Sequence, residues 1–314
     1  SWAKKNLNPD DAVVLEMSTN SYLCYDVLQP NVQSVTVVHP PHVKLVTNVA
    51  VKTDQKAAQT LAELHAVGLL EGIWIPPQKV RDLRALVAQR EKMVRLSTIA
   101  KNRLHAKLQR NHLHLPEKPF AEEQRSWWEG LPLTEIELLR VRSDLDTLGF
   151  ARQQREQIEA HLKMESGQDE RIPLLIQLPG VGWLTAITIL AAIGEITRFE
   201  HAKKLVGYAG LGSRVHDSGK THTTGRITKA GRRDLRRAMV NAANHAVAYH
   251  PFWQKELARL QPRLGRSKAV VMVAGKLLVA VWHVLTKEQV DRFAEPKDIA
   301  HALLAQAYKI QVEN

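Results

Sequence analysis

The sequence predicts an α/β segment followed by a mainly all-α remainder. Three observations carry this. Two short β-branched runs, Ala12–Glu16 (AVVLE) and residues 34–39 (SVTVVH), flank a helical stretch at Ser21–Leu28. Two long stretches, residues 78–113 and 134–164, repeat apolar residues at three- and four-residue intervals. Beyond residue 169, apolar and arginine-rich segments keep helical periodicity and are separated by glycine-punctuated loops. Short β-branched runs mark strands, and recurrence at three and four residues marks a helix face.

A strand–helix–strand order implies a parallel pair, because parallel strands need a crossover. Pro40-Pro41 stops the second strand, and Lys52-Thr53-Asp54 opens the next helix, with Thr53 or Asp54 as its N-cap. Glu16 then ends a strand and Asp54 starts a helix. Such positions can converge at the carboxyl edge of a parallel sheet, where two acids could hold a divalent cation. Two-metal phosphodiester chemistry usually gathers more carboxylates around ions about 4 Å apart. The plainer reading is a solvated acid and a helix cap.

Pro76-Pro77 precedes the first long stretch, whose apolar stripe includes Leu83, Leu86, Val87, Met93, Leu104 and Leu108. At 1.5 Å per residue such a helix reaches about 50 Å. After a proline-punctuated break at residues 116–132, the second stretch carries Leu138, Val141, Leu145, Leu148, Ile158 and Leu162, with Arg155 interrupting. Two such helices predict an antiparallel coiled-coil arm, a spacer or dimerisation element. A polar linker at residues 166–171 follows. The expected domains are residues 1–76, an arm at 77–168 and a C-terminal domain at 169–314.

The C-terminal domain opens on Leu178-Pro179-Gly180-Val181-Gly182 and an apolar helix at residues 184–193. This is a helix-hairpin-helix-like turn. Gly180 and Gly182 would let the backbone approach a phosphate at a helix N-terminus; the equal alternative is a tight turn that only joins two helices. Residues 228–246 read as a helix carrying Lys229, Arg232, Arg233, Arg236 and Arg237 on one broad face, with Leu235, Met239, Ala242 and Ala246 opposite. Clustered arginine favours phosphate binding over a merely solvated face. Between turn and helix lies a polar loop containing Asp217-Ser218-Gly219-Lys220. Ser-Gly is ordinarily a turn; Ser218 as a nucleophile would need activation, and Lys220 and Arg226 could hold a phosphate beside it. Ser213 has a weaker surrounding, and neither serine sits in a GxSxG elbow. Downstream, residues 252–260, 269–285 and 299–307 read as packing helices, and 262–268 (PRLGRSK) as a basic loop.

Composition agrees with a polyanionic partner. Among 314 residues, 44 Lys+Arg oppose 32 Asp+Glu, a net charge of +12 and a pI near 9.8. A lone cysteine, Cys24, excludes an internal disulfide and a cysteine zinc site and fits a reducing cytoplasm. The chain starts at Ser1 without a targeting pattern, and SWAKKNL reads as the interior of something longer. The most apolar segment, residues 269–285, is shorter than the ~20 residues of a membrane helix and is expected to be buried.

The run LPGVGWLTAITILAAIGEITRFEHAKKLVGYAGL, then DSGK, then GRITKAGRRDLRRAMVNAA resembles the C-terminal domain of transposases of the insertion-sequence one-ten family. Upstream, AVVLEMSTNSY, VVHPPHVKLV and VKTDQKAAQTLAEL resemble that family's catalytic-Glu strand, its next strand and turn, and its Lys-Thr-Asp helix start. The resemblance implies a RuvC/RNase H-like DEDD domain, partial here, a coiled-coil arm and a serine transposase domain. It implies that Glu16 and Asp54 bind Mg²⁺ and that Ser218 is the nucleophile. It also implies a composite site, DNA and a structured guide RNA as partners, and assembly as a homodimer or homotetramer. The family's first Asp falls upstream of the residues present, and its fourth carboxylate falls on Ala57. Strand cleavage is therefore expected to be impaired. A non-enzymatic DNA- or RNA-binding protein is the rival expectation. A RuvC-like junction nuclease is a third, one that would not need the serine domain.

Overall fold

The computed structural model describes residues 2–40, 53–218, 221–291, 294 and 296–310. The chain forms two compact units, residues 1–77 and 78–314.

In the first unit a short helix α1 (Trp2–Asn6), which the sequence reading did not anticipate, precedes β1 (Ala12–Glu16). Helix α2 (Ser21–Leu28) then leads to β2 (Ser34–Val38). The strands pair in parallel, Ala12 opposite Ser34 and Glu16 opposite Val38, with α2 making the crossover that parallel pairing requires. Val37 and Val38 are the buried residues of β2. Helix α3 (Asp54–Ala66) packs on β1 through Leu61 and its neighbours. The hydroxyl of Thr53 accepts from the Lys56 amide at 3.3 Å, so Thr53 is the N-cap and Asp54 the first helical residue. The chain returns beside β2, where the Ile73 amide donates to the Val37 carbonyl at 2.7 Å. The expected Pro40-Pro41 stop and the Lys52 helix approach extend into residues 41–52, which lie outside the described residues.

The second unit begins with two helices of 33 residues each, α4 (Gln78–Arg110) and α6 (Glu135–Gly167). They run antiparallel: Arg90 pairs with Glu159 at 2.7 Å, and Lys107 with Asp144 at 2.6 Å. The seam residues of α6 include Val141, Asp144, Leu148, Ala151, Ile158 and Leu162, a three/four alternation that keeps one face turned to α4. Thr134 caps α6 by accepting from the Glu137 amide. The arm has two apolar clusters. At its root Leu83, Val87, Met93, Ile158 and Leu162 join the main core. Farther out Leu104, Leu108, Leu131 and Val141 enclose Trp128, which stands on the short helix α5 (Arg125–Glu129). The Trp128 indole donates to the Pro119 carbonyl at 2.6 Å, so its one polar atom is satisfied in full burial.

The core of this unit is built around α8 (Trp183–Ile193), entered from α7 (Arg171–Ile176) through the Pro179–Gly182 turn. Eight of its residues are buried, so its apolar character on all sides has a physical reason. Helix α9 (Ala202–Tyr208) precedes a hairpin, β3 (Ser213–Ser218) and β4 (Thr221–Ile227). Three long helices follow: α10 (Arg233–Tyr249), α11 (Pro251–Leu264) and α12 (Arg266–Lys287), then α13 (Pro296–Ile310). The hairpin corrects the expectation of an irregular loop. Residues 262–268 are likewise not a loop: they are the junction of α11 and α12, broken only at Gly265, where φ is +74°. By length and composition α12 could cross a membrane. In the fold it packs against α9, α10 and α11 and buries Val273, Leu277, Leu278 and Val281.

Candidate functional site

The Pro-Gly-Val-Gly turn is held from both sides. Gly180 has φ of +80°, and a Cβ there would meet the Ala242 carbonyl oxygen of α10 at 2.2 Å. Only glycine lets the turn lie against the α10 backbone this closely. Gly182 is the N-cap of α8, and the side chain of Gln306 on α13 lies beside it. The Trp183 amide donates to Gln306 Oε1 at 3.2 Å, so a side chain satisfies one of the orphan donors at this helix start. The opposite end of α8 is covered by arginines. Arg84 donates to the Ala191 and Ala192 carbonyls, both at 2.8 Å; Arg198 donates to Ile193 at 3.0 Å, and Arg171 to Gly194 at 3.0 Å. Cationic donors suit the negative end of a helix dipole. Burial lowers the affinity of the Arg198 guanidinium for its proton, and the Tyr208 phenol works in the opposite direction. Arg198 stacks on Phe199 and Tyr208 at 4.2 and 4.4 Å. Periodicity could not reveal the roles of Arg84 and Arg171, because each reaches an element distant in sequence, whereas Arg198 turns back on the helix it follows.

The hairpin is anchored at its base by the loops flanking it. The amides of Thr228, Lys229 and Arg232 donate to the carbonyls of Gly212, Gly210 and Tyr208, at 2.9, 3.1 and 2.8 Å. Arg236 adds a bond from its side chain to the Ala209 carbonyl at 2.8 Å. Two glycines make the interlock possible. Gly210 has φ of +67°, and Gly231 has φ of +114° with the Tyr208 carbonyl where a Cβ would stand. Within the hairpin, Ser213 pairs with Ile227 at the base and Ser218 with Thr221 at the far end. For Ser218 and Arg226 the backbone alone is described, and Gly219 and Lys220 lie outside the described residues.

The basic helix is arranged differently from the expected face. Helix α10 starts at Arg233; Arg232 is its N-cap, and Lys229 sits before it at φ of +55°. Lys229 therefore does not share a helical face with Arg233. Arg232 forms an ion pair with Asp234, Arg236 is held by Ala209, and Arg237 pairs with Glu91 of α4. Arg233 and Lys229 are exposed. The face predicted to be apolar is buried: Leu235, Met239, Ala242 and Ala246 all enter the core.

In the first unit Glu16 is the exposed last residue of β1, and Asp54 the exposed first residue of α3, the helix packed on that strand. Ala57 lies one turn beyond Asp54 and is also exposed. Among the described residues there is no group of three or more His, Cys, Asp or Glu placed to hold a metal ion. Mg²⁺ commonly takes one or two carboxylates and completes its octahedron with water and phosphate oxygens. Glu16 and Asp54 are hard-oxygen donors of the kind such an ion takes, and they are fewer than a two-ion centre gathers.

The comparisons with known proteins agree with this layout. A family model described as "Transposase IS116/IS110/IS902 family" matches residues 172–258, which run from α7 through the hairpin into α11. A second model, a transposase of the DEDD IS110 type, matches residues 2–113. The transposase for insertion sequence element IS1111A of Coxiella burnetii is 26% identical over 272 residues, covering 82% of this chain and 72% of that protein. The pilin gene-inverting protein of Moraxella bovis is 33% identical over 125 residues, 38% of each chain. A putative transposase of Sinorhizobium fredii is 24% identical over 289 residues, covering 86% of this chain and 67% of that protein. With one family's two models matching in order, the DEDD model over the first unit and on through α4 and the other within the second unit, and a relative aligned along most of its length, the chain belongs to the IS110 family of insertion-sequence transposases.

Proposed function

We propose that this chain is a DNA transposase in which Ser218 is the nucleophile and Glu16 and Asp54 hold Mg²⁺, with a structured RNA guiding it to DNA. The observation that carries the reading is the anchored hairpin. Its base is fixed to α9 and α10 by backbone hydrogen bonds, and Ser218 stands in the strand pair farthest from that base. Catalysis by a serine needs such a fixed position, because orientation supplies much of the rate gain.

In the proposed step the Ser218 hydroxyl oxygen attacks a DNA phosphorus. The O–P bond forms, the hydroxyl proton passes to a base, and the bond from phosphorus to the departing deoxyribose oxygen breaks, that oxygen taking up a proton. A serine phosphodiester remains, and attack by a hydroxyl of the joining strand reverses the sequence. A bound Mg²⁺ would neutralise charge on phosphate oxygens. The helical pair α4–α6 is the coiled-coil arm in this reading, and dimers or tetramers bring the two domains together. With alanine at position 57 this chain is a weak cleavage enzyme.

A covalent protein–DNA adduct formed in Mg²⁺ tests the assignment. The adduct is expected at low yield, to disappear in Ser218→Ala and to increase in Ala57→Asp. An adduct that survives Ser218→Ala would sink the serine assignment. A second reading, a binding protein without cleavage, is favoured by the lack of a three-ligand metal cluster among the described residues. It predicts salt-sensitive DNA binding and no adduct from any of these variants.

A further inference from the structure

We infer that the outer face of α4 binds the phosphate backbone of duplex DNA. The inference rests on the proposed role in DNA chemistry and adds a contact surface outside the hairpin. From Lys92 to Arg110 the helix carries six cations, Lys92, Arg95, Lys101, Arg103, Lys107 and Arg110, and no acid. Two of them serve the arm itself: Lys107 is buried against Asp144, and Lys101 lies over the Phe120 ring at 5.1 Å. The other four, Lys92, Arg95, Arg103 and Arg110, are exposed.

At 3.6 residues per turn these four positions fall within a sector of about 80°, along about 27 Å of helix. Among the described residues only Arg103 of the four forms an ion pair, with Asp144 at 3.6 Å, and Asp144 binds Lys107 more closely; Glu91, beside Lys92 and one turn from Arg95, pairs with Arg237. A line of unneutralised charge on a rigid helix suits a duplex, which presents one phosphate charge per ~1.7 Å of axis. No aromatic residue stands among the four cations, so the face lacks the stacking platform that single strands use. A second copy is a poorer partner, because four of the seven acids of its α6, Asp144, Asp146, Glu159 and Glu165, are held by Lys107, Arg125, Arg90 and Lys79.

The experiment measures duplex affinity against salt for the wild-type chain and for Lys92→Gln/Arg95→Gln/Arg103→Gln/Arg110→Gln. Each lost phosphate contact on B-DNA lowers the slope of log affinity against log salt by ~0.9, so the variant should lose about 3.6. The weakening between 50 and 200 mM salt then shrinks by about a hundredfold. The charge-keeping variant Lys92→Arg/Arg95→Lys/Arg103→Lys/Arg110→Lys should retain the wild-type slope, which separates lost charge from lost folding. An RNA duplex of equal length is the control, and a larger loss of slope on RNA than on DNA overturns the choice of DNA. An unchanged slope in the Gln variant overturns the inference, as does a fall in oligomer mass without a slope change. Adduct formation is read separately: binding through this face with no adduct even from Ala57→Asp refutes the cleavage reading and leaves the α4 surface standing.

Discussion

Replacing Gly180 with alanine separates the two roles open to the Pro-Gly-Val-Gly turn. The added Cβ would lie 2.2 Å from the Ala242 carbonyl oxygen, 3.0 Å from its carbon and 3.1 Å from its Cα. All three atoms belong to the backbone of a buried helix, so no side chain can swing aside. The residue would also keep a left-handed φ of +80°, which costs an L-residue about 1–2 kcal/mol. Forcing α8 and α10 apart adds an overpacking cost of about 1–3 kcal/mol. Gly180→Ala should therefore destabilise the second unit by about 2–5 kcal/mol. Gly182 is the control. Its φ is −90°, and a Cβ there would meet only the Gln306 side chain, at 3.4 Å. Gly182→Ala should cost no more than about 1 kcal/mol, the scale of a weakened N-cap. Because the chain has two compact units, the readout is hydrogen exchange of the α8 and α10 amides, which reports that unit alone. Equal protection in the two variants, or a Gly180→Ala loss below about 0.5 kcal/mol, would refute the close-approach argument and return Gly180 to a ligand-binding role.

Two further outcomes follow from the ion pairs. Lys107 and Asp144 are 6% and 7% exposed, so Lys107→Met leaves the buried carboxylate only the exposed Arg103 at 3.6 Å and should cost up to about 3–5 kcal/mol by urea unfolding, whereas Lys107→Met/Asp144→Leu should recover most of it; a double variant as unstable as the single one counts against the pair. Hydrogen bonds from Arg259 and then Lys276 lower the Glu256 carboxyl from 4.5 to about 2. A depressed folded-state value gives stability that is present above the unfolded value and lost as pH falls. The stability gap between wild type and Glu256→Gln should thus shrink from pH 4.5 toward about 2 in thermal melts, and a gap that stays constant over that window would exclude the linkage.

Much of the fold was legible in local sequence. Thr53 and Asp54 were the two candidate caps of α3, and the structure selects Thr53, because a hydroxyl followed three residues later by a helical amide is a local arrangement. The parallel β1–β2 pair followed from element order alone, and the core face of α10 from spacing. The arm's length followed from its periodicity. Residue order also placed the family resemblance, since motifs recur in sequence whatever their fold.

What the tertiary structure decided is where each charge and glycine is used. A run of arginines looks the same whether it faces solvent or carbonyls. Only packing shows Arg236 on Ala209, Arg237 on Glu91, and Arg84, Arg171 and Arg198 at the end of α8. Polar, glycine-punctuated residues 213–227 carry weak strand signals, and they form a hairpin because the loops at its base are fixed to α9 and α10. Gly180 looked like a phosphate loop, yet its neighbour is a helix backbone more than sixty residues away. Periodicity reports which side of an element is apolar, whereas the partner of a polar group or a bare Cα is set by chain segments distant in sequence.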